Sequence, residues 1–576
     1  MKKVFLFMTC CLCFCAAVSA QNKAPKWMEK SYKAVVSITT YGKDNNQLAT
    51  GVGFFVNETG DILSSYSLFK GAAKATVTDA DGTTTDVESI VGSDALYDAI
   101  KIRITPTKKI TFLPIINDPI PNGTPSYLLA FSTNKKDIKF AAGAITEVSK
   151  LKDNYKYYKL NIPLADGQAN SPILTVNGEA FGLAQTDASG NKNISYALSA
   201  SYVNQLAYTS ANFISSNSND IGIKKCWPKD GNQATAVLYI IGSMQDPKAY
   251  LATINDFIKT FPDSTDGYLT RANHYASQRK ALSSDVNEQL NLLNLALNDF
   301  QTAAKLSTKK SEIWYNQAKL IYNVAITDST INNAAWTKQS AFEAIQKAIQ
   351  EEDLPVYHQF EGDMYYNEGK FKEAYNDYTI VNNSDIATAT SYYWAAKALQ
   401  NISGFNFGDV LDLLNKAVDK AGTVTPDAAP FILERIEWRL RLQQYTEAVA
   451  DYNLYYEAVA KKVSPNFFYL REQAKFHGGD LEGALQDIQE AIKQSPDTED
   501  YLAEEASIYV RQQKYTEAFA SLDKALKINP KFAACYRLKG VIYLRQKKNA
   551  DACTALHKAQ ELGDPVAEKL ISQNCK

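Results

Sequence analysis

At 576 residues, with 45% apolar and 22% charged side chains, the chain is too long for one hydrophobic core and has the composition of a globular protein of about two to four domains. Its 61 basic and 63 acidic residues nearly cancel. It therefore lacks the cationic surplus that neutralising a phosphate backbone requires, and nucleic acid is not an expected partner.

The first twenty residues, MKKVFLFMTCCLCFCAAVSA, join two lysines to a short apolar run and end in the small-x-small triplet Val18-Ser19-Ala20. The pattern reads as a secretory signal over 1–20, cut before Gln21, and the run is shorter than the ~18 to 20 residues that span a bilayer. Export to the periplasm, cell envelope or exterior is expected, with no membrane span once the signal is removed. Of the eight cysteines, only Cys226, Cys535, Cys553 and Cys575 remain in the mature chain. They form no CxxC or Cys/His cluster, so neither a metal nor a cofactor is expected.

Residues 30–208 alternate apolar and polar positions in short runs, AVVSITTY, GVGFFV, DILSSY, AIKIRI, YLLAFS and AAGAITEV, separated by Gly, Asn and Asp turns. Many short strands of this kind predict a closed or sandwiched β-fold. Three fragments, GVGFFVNETGDILSSYSLFKGA, GSDALYDAIKIRI and GQANSPILTVNGEAFGLAQ, resemble the histidine, aspartate and nucleophile segments of trypsin-like serine proteases of the bacterial envelope stress-protease type. The resemblance spans the β-half and implies an all-β double barrel.

Carried over position by position, the resemblance places Asp98 at the family aspartate, Ser67 where the histidine belongs and Ala169 where the nucleophilic serine belongs. The imidazole moves the proton in such a triad and the aspartate only orients it, so an aspartate alone has no chemistry to support. Shifting the register makes Ser171 a fallback nucleophile, but no shift supplies the base, because all four histidines, His274, His358, His477 and His557, follow the barrel. A serine–lysine dyad, with Ser67 and Lys70 or with Ser171 and a distant lysine, is the remaining catalytic arrangement.

The stretch SSNSNDIGIKKCWPKDGNQ breaks the strand periodicity, and residues 209–246 are expected as a linker. From 247 to 576 the period becomes helical and a repeat emerges: Phe371-Lys372-Glu373-Ala374, Tyr445-Thr446-Glu447-Ala448 and Tyr515-Thr516-Glu517-Ala518 open amphipathic helices. Small residues at Gly362, Ala506 and Gly540 are each followed three positions later by Tyr365, Tyr509 and Tyr543. This text resembles tetratricopeptide (TPR) repeats and predicts an all-α superhelix of about eight hairpins. Glu472 stands where a small residue is expected, so looser packing is anticipated in that copy. Cys553 and Cys575 flank the last predicted helix, and an oxidising compartment would let them bridge.

Stacked hairpins create a groove lined mainly by their first helices. The repeat register assigns Tyr315, Lys319, Gln359, Asp363, Tyr366, Tyr469, Gln473, Arg537 and Arg545 to it. Their charges are mixed, which leaves the ligand unnamed beyond a protein or peptide partner. The expected function is a non-enzymatic, exported binding scaffold; the alternative is an active serine endopeptidase whose repeats deliver substrate.

Overall fold

The computed structural model describes residues 24–151, 155–215 and 220–575, and the signal expected over 1–20 lies outside them. The described chain divides into two compact units at Thr308/Lys309.

In the first unit, β1 (Val35–Tyr41), β2 (Gln47–Phe55), β3 (Asp61–Ser64), β4 (Lys74–Thr78), β5 (Thr84–Asp86), β6 (Ser89–Asp94) and β7 (Ala99–Arg103) form a seven-stranded sheet in the order β5-β4-β1-β2-β3-β7-β6. A closed six-stranded barrel follows, built from β8 (Pro125–Leu129), β9 (Phe140–Lys150), β10 (Lys156–Leu160), β11 (Pro172–Leu174), β12 (Ala180–Thr186) and β13 (Ser195–Ser199). All their pairings are antiparallel. Each module has its own apolar core, and a third cluster joins the two: Val52, Phe54 and Leu63 from the first meet Leu129, Leu174 and Leu183 from the second, with Met28 and Tyr32. That shared core fixes the loops that face each other across the junction. Gly92 is required there, because a Cβ on it would sit 2.3 Å from the Leu206 backbone.

The stretch expected as a linker is folded against the first sheet. Gly222 N–H donates to the Ala72 carbonyl (2.7 Å), Ile90 N–H to Lys224 (2.8 Å) and Cys226 N–H to Ile90 (2.8 Å), which covers the open edge of β6. Ile221 and Ile223 are buried in that module's core. Helices α1 (Met28–Ser31), α2 (Ser210–Ser215), α3 (Gly231–Gly242) and α4 (Pro247–Thr260) belong to the same unit. Trp227 donates Nε1–H to Asp256 of α4 at 2.8 Å and sets its ring edge-on to Phe257 at 5.2 Å. The helical text therefore begins inside the first compact unit, which also holds α5 (Thr265–Leu282) and α6 (Val286–Leu306).

The second unit is entirely helical among its described residues: α7 (Lys310–Thr327), α8 (Lys338–Glu351), α9 (Pro355–Asn367), α10 (Phe371–Asn382), α11 (Ala389–Leu399), α12 (Phe407–Ala421), α13 (Ala429–Arg441), α14 (Tyr445–Ala458), α15 (Pro465–His477), α16 (Leu481–Gln494), α17 (Glu499–Arg511), α18 (Tyr515–Ile528), α19 (Ala533–Arg545), α20 (Asn549–Glu561) and α21 (Ala567–Asn574). From α7 to α20 each odd-numbered helix packs on its successor, giving seven pairs, and a Cys553–Cys575 disulfide ties α20 to the end of α21. The small residues work as steric windows: a Cβ on Gly362 would lie 3.0 Å from the Tyr378 ring.

Two pairs share a buried clamp. Arg435, the seventh residue of α13, holds Asp451, the seventh of α14, through bonds of 2.9 and 2.6 Å. Arg471 and Asp487 repeat it in α15 and α16 at 2.8 and 2.6 Å. Second cations, Arg439 at 2.9 Å and Lys475 at 2.8 Å, complete each carboxylate. Glu472 beside Arg471 is fully buried, and its Oε1 has no partner among the described residues. Burial, reinforced by the nearby Glu504 charge, pushes its carboxyl up to about 8, so it holds a proton at neutral pH.

Because the folded chain keeps that proton while the unfolded chain loses it near 4.5, stability is expected to fall as pH rises from about 4.5 to 8. Glu472→Gln should flatten that part of the profile, as measured by urea unfolding at pH 5 and pH 8; an unchanged slope contradicts the assignment.

Candidate functional site

The junction between the two β-modules brings together two loops. On the first, β3 runs into Ser65 and a one-turn 3-10 helix, Ser67–Phe69. Asp98 stands immediately before β7 with φ of 50°, a left-handed conformation that aspartate tolerates better than most residues. It meets Ser67 twice: Ser67 N–H donates to Oδ1 at 2.7 Å, and Ser67 Oγ–H to Oδ2 at 3.0 Å. Ser67 Oγ lies 3.4 Å from Ser65 Oγ, which accepts from Asn170 Nδ2 at 2.8 Å on the opposite loop. A chain of polar side chains, Asp98–Ser67–Ser65–Asn170, thus crosses the junction where the resemblance implies a base.

The opposing loop, Gly167-Gln168-Ala169-Asn170-Ser171, turns tightly before β11. Gly167 and Asn170 have φ of 79° and 70°. Gln168 N–H donates to Ala165 (3.1 Å), Asn170 N–H to Ala184 (2.8 Å) and Ser171 N–H to Gln168 (3.2 Å). The peptide N–H groups of Gly167 and Ala169 engage no acceptor among the described residues. Free donors in such a turn can receive a carbonyl or carboxylate oxygen.

Ser67, Tyr97, Asp98, Tyr157, Ala169 and Asn170 line a cleft of about 520 Å³. Ala169 also borders a cavity of about 200 Å³ between Leu164 and Ile194. The structure therefore brings together all three positions carried over from the family triad and sets them beside two recesses. Ser171 is not among them. It is 0% exposed, it does not line the cleft, and its Oγ has no partner among the described residues. Burial corrects the expectation of Ser171 as a reachable nucleophile.

Of the described residues lining the cleft, Lys150 carries an amine and Asp98 a carboxylate, and the carboxylate is taken up by Ser67. Ser67 is bonded to Asp98 rather than to Lys70. Burial lowers Lys101 to about 8, but its Nζ donates to the Val203 carbonyl at 2.7 Å and it does not line the cleft. His274, the first histidine in the chain, has Nε2 2.7 Å from the Pro247 carbonyl on α4.

The positions assigned to the repeat groove fall into local partnerships. Lys319 Nζ lies over the Tyr315 ring at 4.7 Å. Asp363 accepts from Gln359 Nε2 (3.0 Å) and the Tyr378 hydroxyl (2.8 Å), and burial raises its carboxyl above the ordinary range. Tyr366 packs edge-on to Trp394 at 5.0 Å, and Tyr469 leans on Tyr501 at 5.3 Å. Gln473 Nε2 donates to Glu472 (2.7 Å), Arg537 pairs with Asp564 (2.9 Å) and Arg545 reaches the Val510 carbonyl (3.0 Å). Only Lys319 and Arg545 of the nine are exposed; the other seven are half-buried and contribute to packing.

Sequence reasoning passed over one cluster. His358, Glu361 and Asp377 are all buried, and each offers a ligand atom within 4.8 Å of the others. The His-x-x-Glu spacing, one helical turn, was the readable signal.

Comparison with known families agrees with both halves. Residues 51–183 match the family described as a trypsin-like peptidase domain. Residues 506–547 match a TPR repeat. Among curated proteins nothing matches. The chain is a protease-fold protein carrying a protein-interaction domain. Among its described residues, no helix is long and apolar enough to cross a membrane.

A buried hydroxyl without a partner costs its desolvation. Ser171→Ala is therefore expected to leave stability unchanged or raise it by about 1 kcal/mol in urea titrations. A loss above about 1 kcal/mol would reveal a hydrogen bond at Oγ.

Proposed function

We propose that the trypsin-like module binds an extended peptide segment without cutting it, and that the repeat unit supplies the second protein-binding surface of an exported, non-enzymatic scaffold. The observation that carries this reading is the pair of hydrogen bonds from Ser67 to Asp98, which occupy the carboxylate with a hydroxyl where a protease needs an imidazole. Ala169 offers no nucleophile. Losing either member alone costs a well-studied serine protease about 10⁶ in turnover.

Binding does not need the triad. The cleft, the neighbouring recess and the free Gly167 and Ala169 N–H groups are the parts of such a site that hold a chain by its backbone. Those same donors would serve the second reading, a working endopeptidase, as an oxyanion site, since they lie at and just before the position aligned with the family nucleophile. Export is supported by the leader-like first twenty residues and by the disulfide that closes the C-terminal helices. The match to a TPR repeat supports a protein partner, and the near-neutral charge argues against nucleic acid.

A fluorophosphonate probe is expected not to label the full mature chain, and unfolded casein is expected to remain intact after prolonged incubation. Ala169→Phe, which fills the wall common to both recesses, should weaken binding of an extended casein peptide at least ~10-fold, read by fluorescence anisotropy. Labelling that disappears in Ser171→Ala, or casein cleavage that tracks with the purified chain, would replace this reading with the endopeptidase.

A further inference from the structure

Three consecutive helix pairs of the second unit, α13–α14, α15–α16 and α17–α18, place a polar residue at the same two points. The seventh residues of α13 and α14 are Arg435 and Asp451, and those of α15 and α16 are Arg471 and Asp487, each an ion pair with a second cation behind it. In α17 and α18 the seventh residues are Glu505 and Ser521, and the hydroxyl donates to the carboxylate at 2.7 Å. In every one of these pairs a donor faces an acceptor.

The pair α9–α10 breaks that rule. Its seventh residues are Glu361 and Asp377, two acceptors, which are 3% and 7% exposed. Four residues after Glu361, where Arg439 and Lys475 stand in the other copies, is Tyr365. Gln346 of α8 donates to Glu361, as Gln489 does to Glu505, but that leaves Asp377 Oδ2 buried with no partner among the described residues. His358, one helical turn before Glu361 and 8% exposed, also faces the two carboxylates. Its Nδ1 lies 2.9 Å from Asp377 Oδ1, while Nε2 lies 2.8 Å from Asp353 Oδ1.

We propose that His358 Nδ1, a Glu361 oxygen and an Asp377 oxygen form a binding site for one divalent transition-metal ion, Zn2+ being the best fit to the donors, which ties α9 to α10 in place of the arginine used by α13–α14 and α15–α16. Mixed imidazole and carboxylate donors suit this class of ion, and three protein ligands leave a coordination position for water. Asp353 completes the arrangement by accepting the Nε2 proton, which directs the Nδ1 lone pair inward; such carboxylate–histidine–metal chains are the usual outer support of a zinc ligand. The Asp353 side chain is 76% exposed, so the cluster lies one residue beneath the surface and an ion has a short way in. An imidazolium alone would be a weaker solution, because its two N–H groups reach Asp377 Oδ1 and Asp353 and leave Asp377 Oδ2 without a donor among the described residues.

The test is calorimetric titration of untagged, chelator-stripped full chain with Zn2+, together with Co2+ binding followed by its visible absorption bands. One tight site per chain is expected. Asp353→Asn should weaken it roughly 10- to 100-fold, as loss of an outer partner does, and Asp377→Asn should weaken it further. Glu361→Arg rebuilds the ion pair of α13–α14 and α15–α16; it should fold, resist urea at least as well as the metal-free parent, and bind no ion at this site. That variant keeps the test decisive even where Asp377→Asn fails to fold. Absence of a site in the parent, or a site that survives Glu361→Arg unchanged and so belongs to other histidines, would overturn the proposal.

Discussion

A carboxylate taken out of water must meet donors or a cation at close range, or else take a proton. Much of this protein's polar interior is arranged by that constraint. Asp451 and Asp487 meet it with two cations apiece. Glu505 meets it with a glutamine and a serine. Glu472, which has only one glutamine, meets it by staying protonated. Asp98, only half-buried, is instead met by the amide and hydroxyl of Ser67.

The architecture was legible because it rests on periodicity. Strands of period two separated by glycine and asparagine turns, then helices opening on an aromatic-x-Glu-Ala signature, follow from which faces must be buried. The boundary between the two texts was not legible. DIGIKKCW looks like punctuation, yet Ile221 and Ile223 fill the core of the first sheet and Trp227 anchors α4. Two apolar residues flanking a glycine give no local sign of the exposed strand edge, far away in sequence, that they will cover.

The site divides along the same line. Positions Ser67, Asp98 and Ala169 could be set by resemblance, and the fold does bring them to one cleft. Exposure could not be read: Ser171 is one residue from the cleft-lining Asn170, but the positive φ of Asn170 turns the chain and sends Ser171 into the interior. Register reasoning likewise found helix faces but not their partners. Tyr315, Gln359 and Tyr469 each meet a local partner, Lys319, Asp363 and Tyr501, whereas Glu361 and Asp377, sixteen residues apart on separate helices, come together only when the helices pair.

Catalysis requires interactions that strengthen at the transition state, whereas binding needs only those present with the substrate at rest. Backbone donors, a cleft and a side recess are the features that the proposed peptide binding would use. A base that accepts a proton and returns it acts only along the reaction, and Ser67, already donating its single proton to Asp98, cannot do both. The contact of that hydroxyl with Asp98 and the link through Ser65 to Asn170 tie the two loops to each other. A junction whose loops stay hydrogen-bonded to each other without an imidazole is what the proposed non-cleaving reading requires.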